Sequence, residues 1–257
     1  MITSNETTEY IMRIGLLQCD DLASPLREVH GNYPELYARL LQSVDPTLDF
    51  TTWRVHDGQL PGTPEEADAW LISGSKASVY ESHAWVADLF GFIQRLWEAE
   101  KPLVGICFGH QAIAQALGGR VERSPRGWGV GVSFNRISDR KAWMTPWQEG
   151  LDLVVSHQDQ VMTMPESGEV LAESAFCPHY MVQYGRHFLG VQGHPEFSRA
   201  CSADLMMSRG EALPDHRRRE GLASLSAAVD DAVMARWIVN FMRQELMPRE
   251  SIPQDMA

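Results

Sequence analysis

The sequence predicts an α/β fold, with a mostly parallel central sheet and flanking helices. Three observations predict it. Short apolar runs such as IMRIGLLQC (11–19), AWLIS (69–73) and PLVGI (102–106) read as core strands, the last buried on both faces. Segments of helical period separate these runs at the spacing of β-α-β units. Punctuating residues, among them Pro61, Gly62, Pro64, Gly74, Gly118 and Gly119, fall between the runs or at their ends.

Residues 11–19 form the first core strand, and residues 20–31, with Pro25 and Gly31, read as a loop. In YPELYARLLQSV (33–44), Leu36, Leu40 and Val44 recur every four residues on one helix face, and Pro34 suits the first turn. Residues 48–56 form a second strand. The third, 69–73, enters the small-residue turn Gly74-Ser75. A long amphipathic helix covers 81–101 and is stopped by Pro102, after which 102–106 is a buried strand. A helix from His110 to Leu117 closes on Gly118-Gly119, a natural C-cap.

The second half is richer in strands: 130–137, 151–156, 170–173, 180–184 and 188–192, the last two joined by a hairpin turn at 184–187. Helices over 198–208 and 229–246 close the chain. The charge run DHRRRE (215–220) reads as a solvated loop or helix end. Without repeats or a low-complexity linker, the expected organisation is an N-terminal extension (1–10), one domain (11–200) and a C-terminal helical extension (201–257) packed on that domain.

Composition removes several classes of function. The 257-residue chain carries a net charge of −12, which argues against a nucleic-acid partner bound through phosphate neutralisation. No apolar run reaches the 18 or more residues of a membrane span, so no membrane partner is expected. The acidic N-terminus lacks the basic and apolar regions of a signal peptide. Four widely spaced cysteines (Cys19, Cys107, Cys177, Cys201), none in a C-x-x-C pair, fit reduced thiols in a cytoplasmic protein.

Gly105-Ile106-Cys107-Phe108-Gly109 lies between a predicted strand and a predicted helix. A nucleophile on such a tight turn is pushed outward at the carboxyl end of the sheet, and flanking glycines relieve crowding. The following helix aims its N-terminal N–H groups at the sulfur, which favours the thiolate. A thiol of ordinary pKa, about 8.5, is only a few per cent ionised at neutral pH and needs a base. Gly193-His194-Pro195-Glu196, after the strand FLGVQ, supplies a candidate: His194 and Glu196 at i and i+2 share one side of an extended segment. Glu196 would hold the imidazole in its useful tautomer and stabilise its cation. The other three cysteines read as buried packing residues.

With these residues in view, GICFGHQ (105–111) and GHPE (193–196) resemble the class I (triad) glutamine amidotransferase domain, a flavodoxin-like fold, over residues 11 to 200. Ser73-Gly74-Ser75 is similar to the family's loop that supplies an oxyanion-hole amide. Ser156-His157-Gln158-Asp159 is similar to the segment that helps hold the glutamine α-amino and carboxylate groups. The resemblance implies Cys107 as nucleophile, His194 as base and Glu196 as its orienting partner. It implies Gly74 and Phe108 as backbone oxyanion donors, and Gln111, Ser156 and His157 as substrate contacts, with no metal and no cofactor. Gly127-Trp128, SHQDQV (156–161) and GVQGHPEF (190–197) look most like stand-alone GMP synthase-like members, which include γ-glutamyl peptidases.

The implied activity is hydrolysis of the γ-amide of glutamine or a γ-glutamyl compound through a γ-glutamyl thioester. The alternatives are a glutaminase subunit delivering ammonia to a separate synthetase partner, or a non-enzymatic binding protein on this fold. About 55 residues follow the expected domain, too few for a fused ATP-using synthetase domain, and no S-G-G-x-D-S loop is present. Gly127-Trp128-Gly129-Val130-Gly131 neither follows a clear strand nor opens a helix, so no nucleotide loop is expected there. His157, Asp159, His179, His187 and His194 lack compact metal-ligand spacing. Of Trp128, Trp143 and Trp147, at least two are expected in the core. The loops 75–82 and 143–150 are expected to shape substrate choice.

Overall fold

A computed structural model describes residues 11–246. Eleven strands and seven helices follow in order: β1 (Arg13–Gln18), α1 (Ser24–His30), α2 (Tyr33–Gln42), β2 (Asp49–Arg54), β3 (Ala69–Ile72), α3 (Ala84–Glu98), β4 (Leu103–Ile106), α4 (Phe108–Ala116), β5 (Arg120–Arg123), β6 (Gly129–Ile137), β7 (Gly150–His157), β8 (Asp159–Thr163), β9 (Gly168–Glu173), β10 (Met181–Tyr184), β11 (Phe188–Val191), α5 (Arg199–Ser208), α6 (Asp215–Ser224) and α7 (Asp231–Leu246).

Nine strands make one sheet in the order β2-β1-β3-β4-β11-β10-β9-β6-β7, while β5 and β8 pair separately. The first five, β2 through β11, are mutually parallel; from β11 outward every pairing is antiparallel. Both faces of the parallel half are covered. Ile14 and Leu16 of β1 pack with Leu36, Tyr37 and Leu41 of α2 and with Trp237 and Phe241 of α7. Leu17 faces the other way, into a layer with Leu89, Phe92 and Ile93 of α3 and Ile113 of α4. This two-sided burial is why β1, β3 and β4 read as continuous apolar runs rather than alternating ones.

Several expectations needed correction. Residues 24–30 are helical, not loop: Pro25 sits in the first turn of α1, and Leu26 is its one buried side chain, too little to give a periodic signal. The charge run forms the largely exposed N-terminal end of α6, as expected, though Arg217 donates to the Trp128 carbonyl at 2.6 Å and Arg218 to the Leu213 carbonyl at 3.0 Å. The glycine-rich stretch opens β6, and Gly131 meets Gly221 of α6, so small residues there let a helix dock on a strand. Trp143 is core, edge-on to Trp237 and Phe241, whereas Trp147 is 39 % exposed beneath Arg140. The 143–150 loop binds α7, with Trp237 Nε1 donating to Pro146 and Asn240 to Thr145. It is a packing element. The expected extension 1–10 lies outside the described residues, as does 247–257. Among the described residues no helix is long and apolar enough to cross a membrane.

Candidate active site

Three adjacent parallel strands end at one place. Ile72 of β3 lies beside Gly105 of β4, and Ile106 of β4 beside Val191 of β11. The residues just past these ends are Gly74, Cys107 and His194, so the sheet itself brings them together. The Cys107 amide donates to the Val191 carbonyl at 2.8 Å, stitching the turn to the neighbouring strand.

Cys107 has φ 53° and ψ −100°, a left-handed conformation that a non-glycine residue seldom adopts. The glycines on either side make the turn this tight. A Cβ at Gly105 would lie 2.4 Å from the Gly109 backbone, and one at Gly109 would lie 2.5 Å from the Ile72 carbonyl. Helix α4 starts at Phe108, leaving its first N–H groups at the sulfur. The amides of Gly74 and Phe108 donate to no backbone carbonyl or side chain among the described residues.

His194 Nδ1 lies 2.7 Å from Glu196 Oε1, and both side chains are almost wholly buried. Burial works against the imidazolium, but the charges of Glu196 and Cys107 outweigh it and lift His194 to about 10. Phe197 stacks on the imidazole at 4.4 Å between centroids, fixing its plane. The Tyr37 hydroxyl donates to the same Glu196 oxygen at 3.0 Å. Burial, then the Glu196 charge, keeps that hydroxyl protonated far above its ordinary range, so it remains a donor. The arrangement can hold a cationic imidazole beside the Cys107 sulfur without further groups.

Burial drives Cys177 and Cys201 up to about 12 and Cys19 higher still, so all three are thiols at neutral pH.

Two connected cavities meet at Cys107. One, of about 290 Å³, is bordered by Gln111, Trp128, His157 and Asp159. The other, of about 210 Å³, lies beneath α1 and α5 and is bordered by His194, Phe197, Leu26 and Leu205. Ser75, Lys76, Cys107, Ser156 and Arg209 border both. A larger cavity of about 600 Å³ sits at the opposite, amino-terminal end of β4 and β11, around Trp97, Lys101 and Arg186, far from this thiol.

Every residue proposed from sequence therefore lies at one place, but in different postures. Ser156 Oγ accepts from Arg209 Nη2 at 2.8 Å. His157 is buried, with Nδ1 3.1 Å from the Asp159 carbonyl, and burial pulls it down to about 4, so it is neutral. Gln111 turns its amide nitrogen inward, to the Asp159 carbonyl at 2.9 Å and Gln192 Oε1 at 3.0 Å, so it braces the wall from behind.

Sequence reasoning missed Tyr37 and Arg209. Tyr37 lies on the buried face of α2 and reads as core. Arg209 ends α5, stacks over Trp128 at 4.3 Å and forms no ion pair among the described residues. Burial lowers its affinity for the proton. A half-buried guanidinium facing a cavity without a carboxylate partner is chemically suited to receive an anion. No local motif announces it.

A sequence profile of the glutamine amidotransferase class-I family matches residues 29–209. The chain belongs to that family. It is 34 % identical over 181 residues to gamma-glutamyl peptidase 5 of Arabidopsis thaliana, covering 68 % of this chain and 71 % of that one. It is 33 % identical over 167 residues to the glutamine-hydrolyzing GMP synthase of a Synechococcus strain, covering 65 % of this chain but 30 % of that protein. A glutamine amidotransferase crystal structure from Thermotoga maritima superposes with a TM-score of 0.70 at 16 % identity, over 92 % of this chain and 98 % of the other, which shows a shared fold. The expected α/β amidotransferase fold, with its mostly parallel sheet and flanking helices, is thus borne out.

Proposed function

We propose that this amidotransferase-family chain hydrolyses the γ-amide of glutamine or of a γ-glutamyl compound, through a γ-glutamyl thioester on Cys107. The observation that carries this reading is the strained left-handed Cys107, placed at the start of α4 beside the buried His194–Glu196 pair. Similarity to γ-glutamyl peptidases and to glutamine-hydrolyzing GMP synthases supports the same substrate class.

The Cys107 thiolate attacks the γ-carbonyl carbon, forming the C–S bond and a tetrahedral oxyanion. The amides of Gly74 and Phe108 receive that oxygen; one such donor is worth about 2.7–4 kcal/mol in other enzymes. As the C–N bond breaks, His194 passes its proton to the departing nitrogen. It then takes a proton from water, which attacks the thioester and releases glutamate. Glu196, fixed by Tyr37, holds the imidazole for both transfers. Arg209 receives the substrate α-carboxylate in the polar cavity, beside Ser156 and His157.

The test is hydrolysis by the isolated chain of glutamine, γ-glutamyl peptides and γ-glutamyl amines, with mass spectrometry of the quenched enzyme. Turnover with a γ-glutamyl adduct on Cys107 is expected; turnover in Cys107→Ala overturns the mechanism. The match to part of GMP synthase favours one second reading, a glutaminase that passes ammonia to a separate synthetase. Negligible turnover that rises when a synthetase is added would select it.

A further inference from the structure

The two cavities at Cys107 divide the substrate, and the position of His194 decides how. In the thioester reading, on which this inference rests, the group that protonates the leaving nitrogen must stand beside it. His194 borders only the cavity under α1 and α5, whereas Gln111, His157 and Asp159 border only the polar one. The leaving amine therefore departs into the α1–α5 cavity.

That cavity is built for more than ammonia. Ammonia is about the size of water, whose share of liquid volume is roughly 30 Å³, while the cavity holds about 210 Å³. Leu22, Leu26, Phe197 and Leu205 form its walls, the first three buried. The carboxylates at its border are already engaged: Asp20 accepts from the Lys76 amide at 2.9 Å and from Lys76 Nζ at 3.0 Å, and Asp21 pairs with Arg54 at 2.8 Å. Ser75, Lys76, Ser156 and Arg209 are shared with the polar cavity, and the surface that belongs to this cavity alone is mostly hydrocarbon.

We propose that the α1–α5 cavity is a leaving-group subsite for an apolar amine, so that the preferred substrates are γ-glutamyl amides whose amine half carries an aliphatic or aromatic group of several carbons. Hydrolysis breaks the C–N bond, the nitrogen takes its proton from His194, and the apolar amine leaves between α1 and α5. Water supplies the remaining atoms.

The experiment measures kcat/KM of the full chain for glutamine and for the γ-glutamyl methyl-, ethyl- and n-butylamides. Burial of a methylene is worth roughly fourfold, so the n-butylamide should outrun the methylamide by at least tenfold. A flat or falling series, with glutamine still cleaved, overturns the subsite and leaves the hydrolase reading standing. Failure to cleave any of them, with no adduct on Cys107, overturns both. Leu205→Asp, on the half-exposed face of α5, should reduce the butylamide-to-methylamide ratio at least fivefold. Because a ratio is independent of how much enzyme is folded, an unchanged ratio overturns the proposal whatever the variant's yield.

Discussion

The two halves of the sheet contribute differently to the site. The parallel half delivers the groups proposed to react: Gly74, Cys107 and His194 each follow the carboxyl end of β3, β4 or β11, three neighbours in register. The antiparallel half delivers much of the wall. Ser156 and His157 lie at the end of β7, four places from β11 in the sheet order, yet the His194 amide donates to the Val154 carbonyl at 2.8 Å. The antiparallel strands must therefore curl back over the carboxyl end of the parallel ones, as strongly twisted sheets do. In the proposed mechanism, then, chemistry depends on local turns, while substrate binding depends on long-range closure. Mutations in the first region should act on kcat, and those in the second on KM.

The largest effect tests the first half. Cys107→Ala should abolish turnover, leaving less than about one part in 10³, and the quenched protein should carry no γ-glutamyl adduct. Next, Glu196→Gln should lower kcat by roughly 10²-fold and also change the pH profile. Because the Glu196 charge raises His194 while burial lowers it, the wild-type imidazolium should persist until pH approaches about 10. Removing that charge should move the alkaline limb of kcat/KM toward neutral pH. A limb that stays in place would detach Glu196 from His194.

Gly74→Ala makes a smaller, local disturbance. Its Cβ would lie 2.9 Å from His194 Cε1 and 3.2 Å from the Tyr33 hydroxyl, so the ring must shift. A fall in kcat of about tenfold, equivalent to roughly 1.4 kcal/mol, is expected with an unchanged melting temperature. For the second half, Arg209→Ala should raise KM about tenfold, the value of one charged hydrogen bond, with kcat less affected. A pure kcat effect would erase the contrast between the halves. The smallest expected change is Cys201→Ala. This thiol is pushed up to about 12 and remains a packing group, so kcat/KM should stay within about twofold.

What could be read in the sequence follows the same division. The elbow and the His-Pro-Glu segment are each confined to a few consecutive residues, because a strand-to-helix turn and an i, i+2 pair are local geometry. Covering of the parallel strands on both faces also left a local trace, the continuous apolar runs. Helix α1 left almost none, since its buried surface is a single leucine, and the charge run of α6 gave no hint that its arginines hold the Trp128 and Leu213 carbonyls.

By itself, then, the sequence determined the α/β class, the carboxyl-end turn that carries Cys107, and the pairing of His194 with Glu196. Only the tertiary structure decided that Tyr37, 159 residues away in the chain, hydrogen-bonds Glu196, and that Arg209 stands over Trp128 at the junction of two cavities. It also decided that, of the two cavities at Cys107, His194 borders only the one beneath α1 and α5. The physical reason is range: backbone dihedral preferences and side-chain alternation act over a few residues. Cavity shape and the pairing of buried polar groups are set by the packing of α1, α2 and α5 against distant strands.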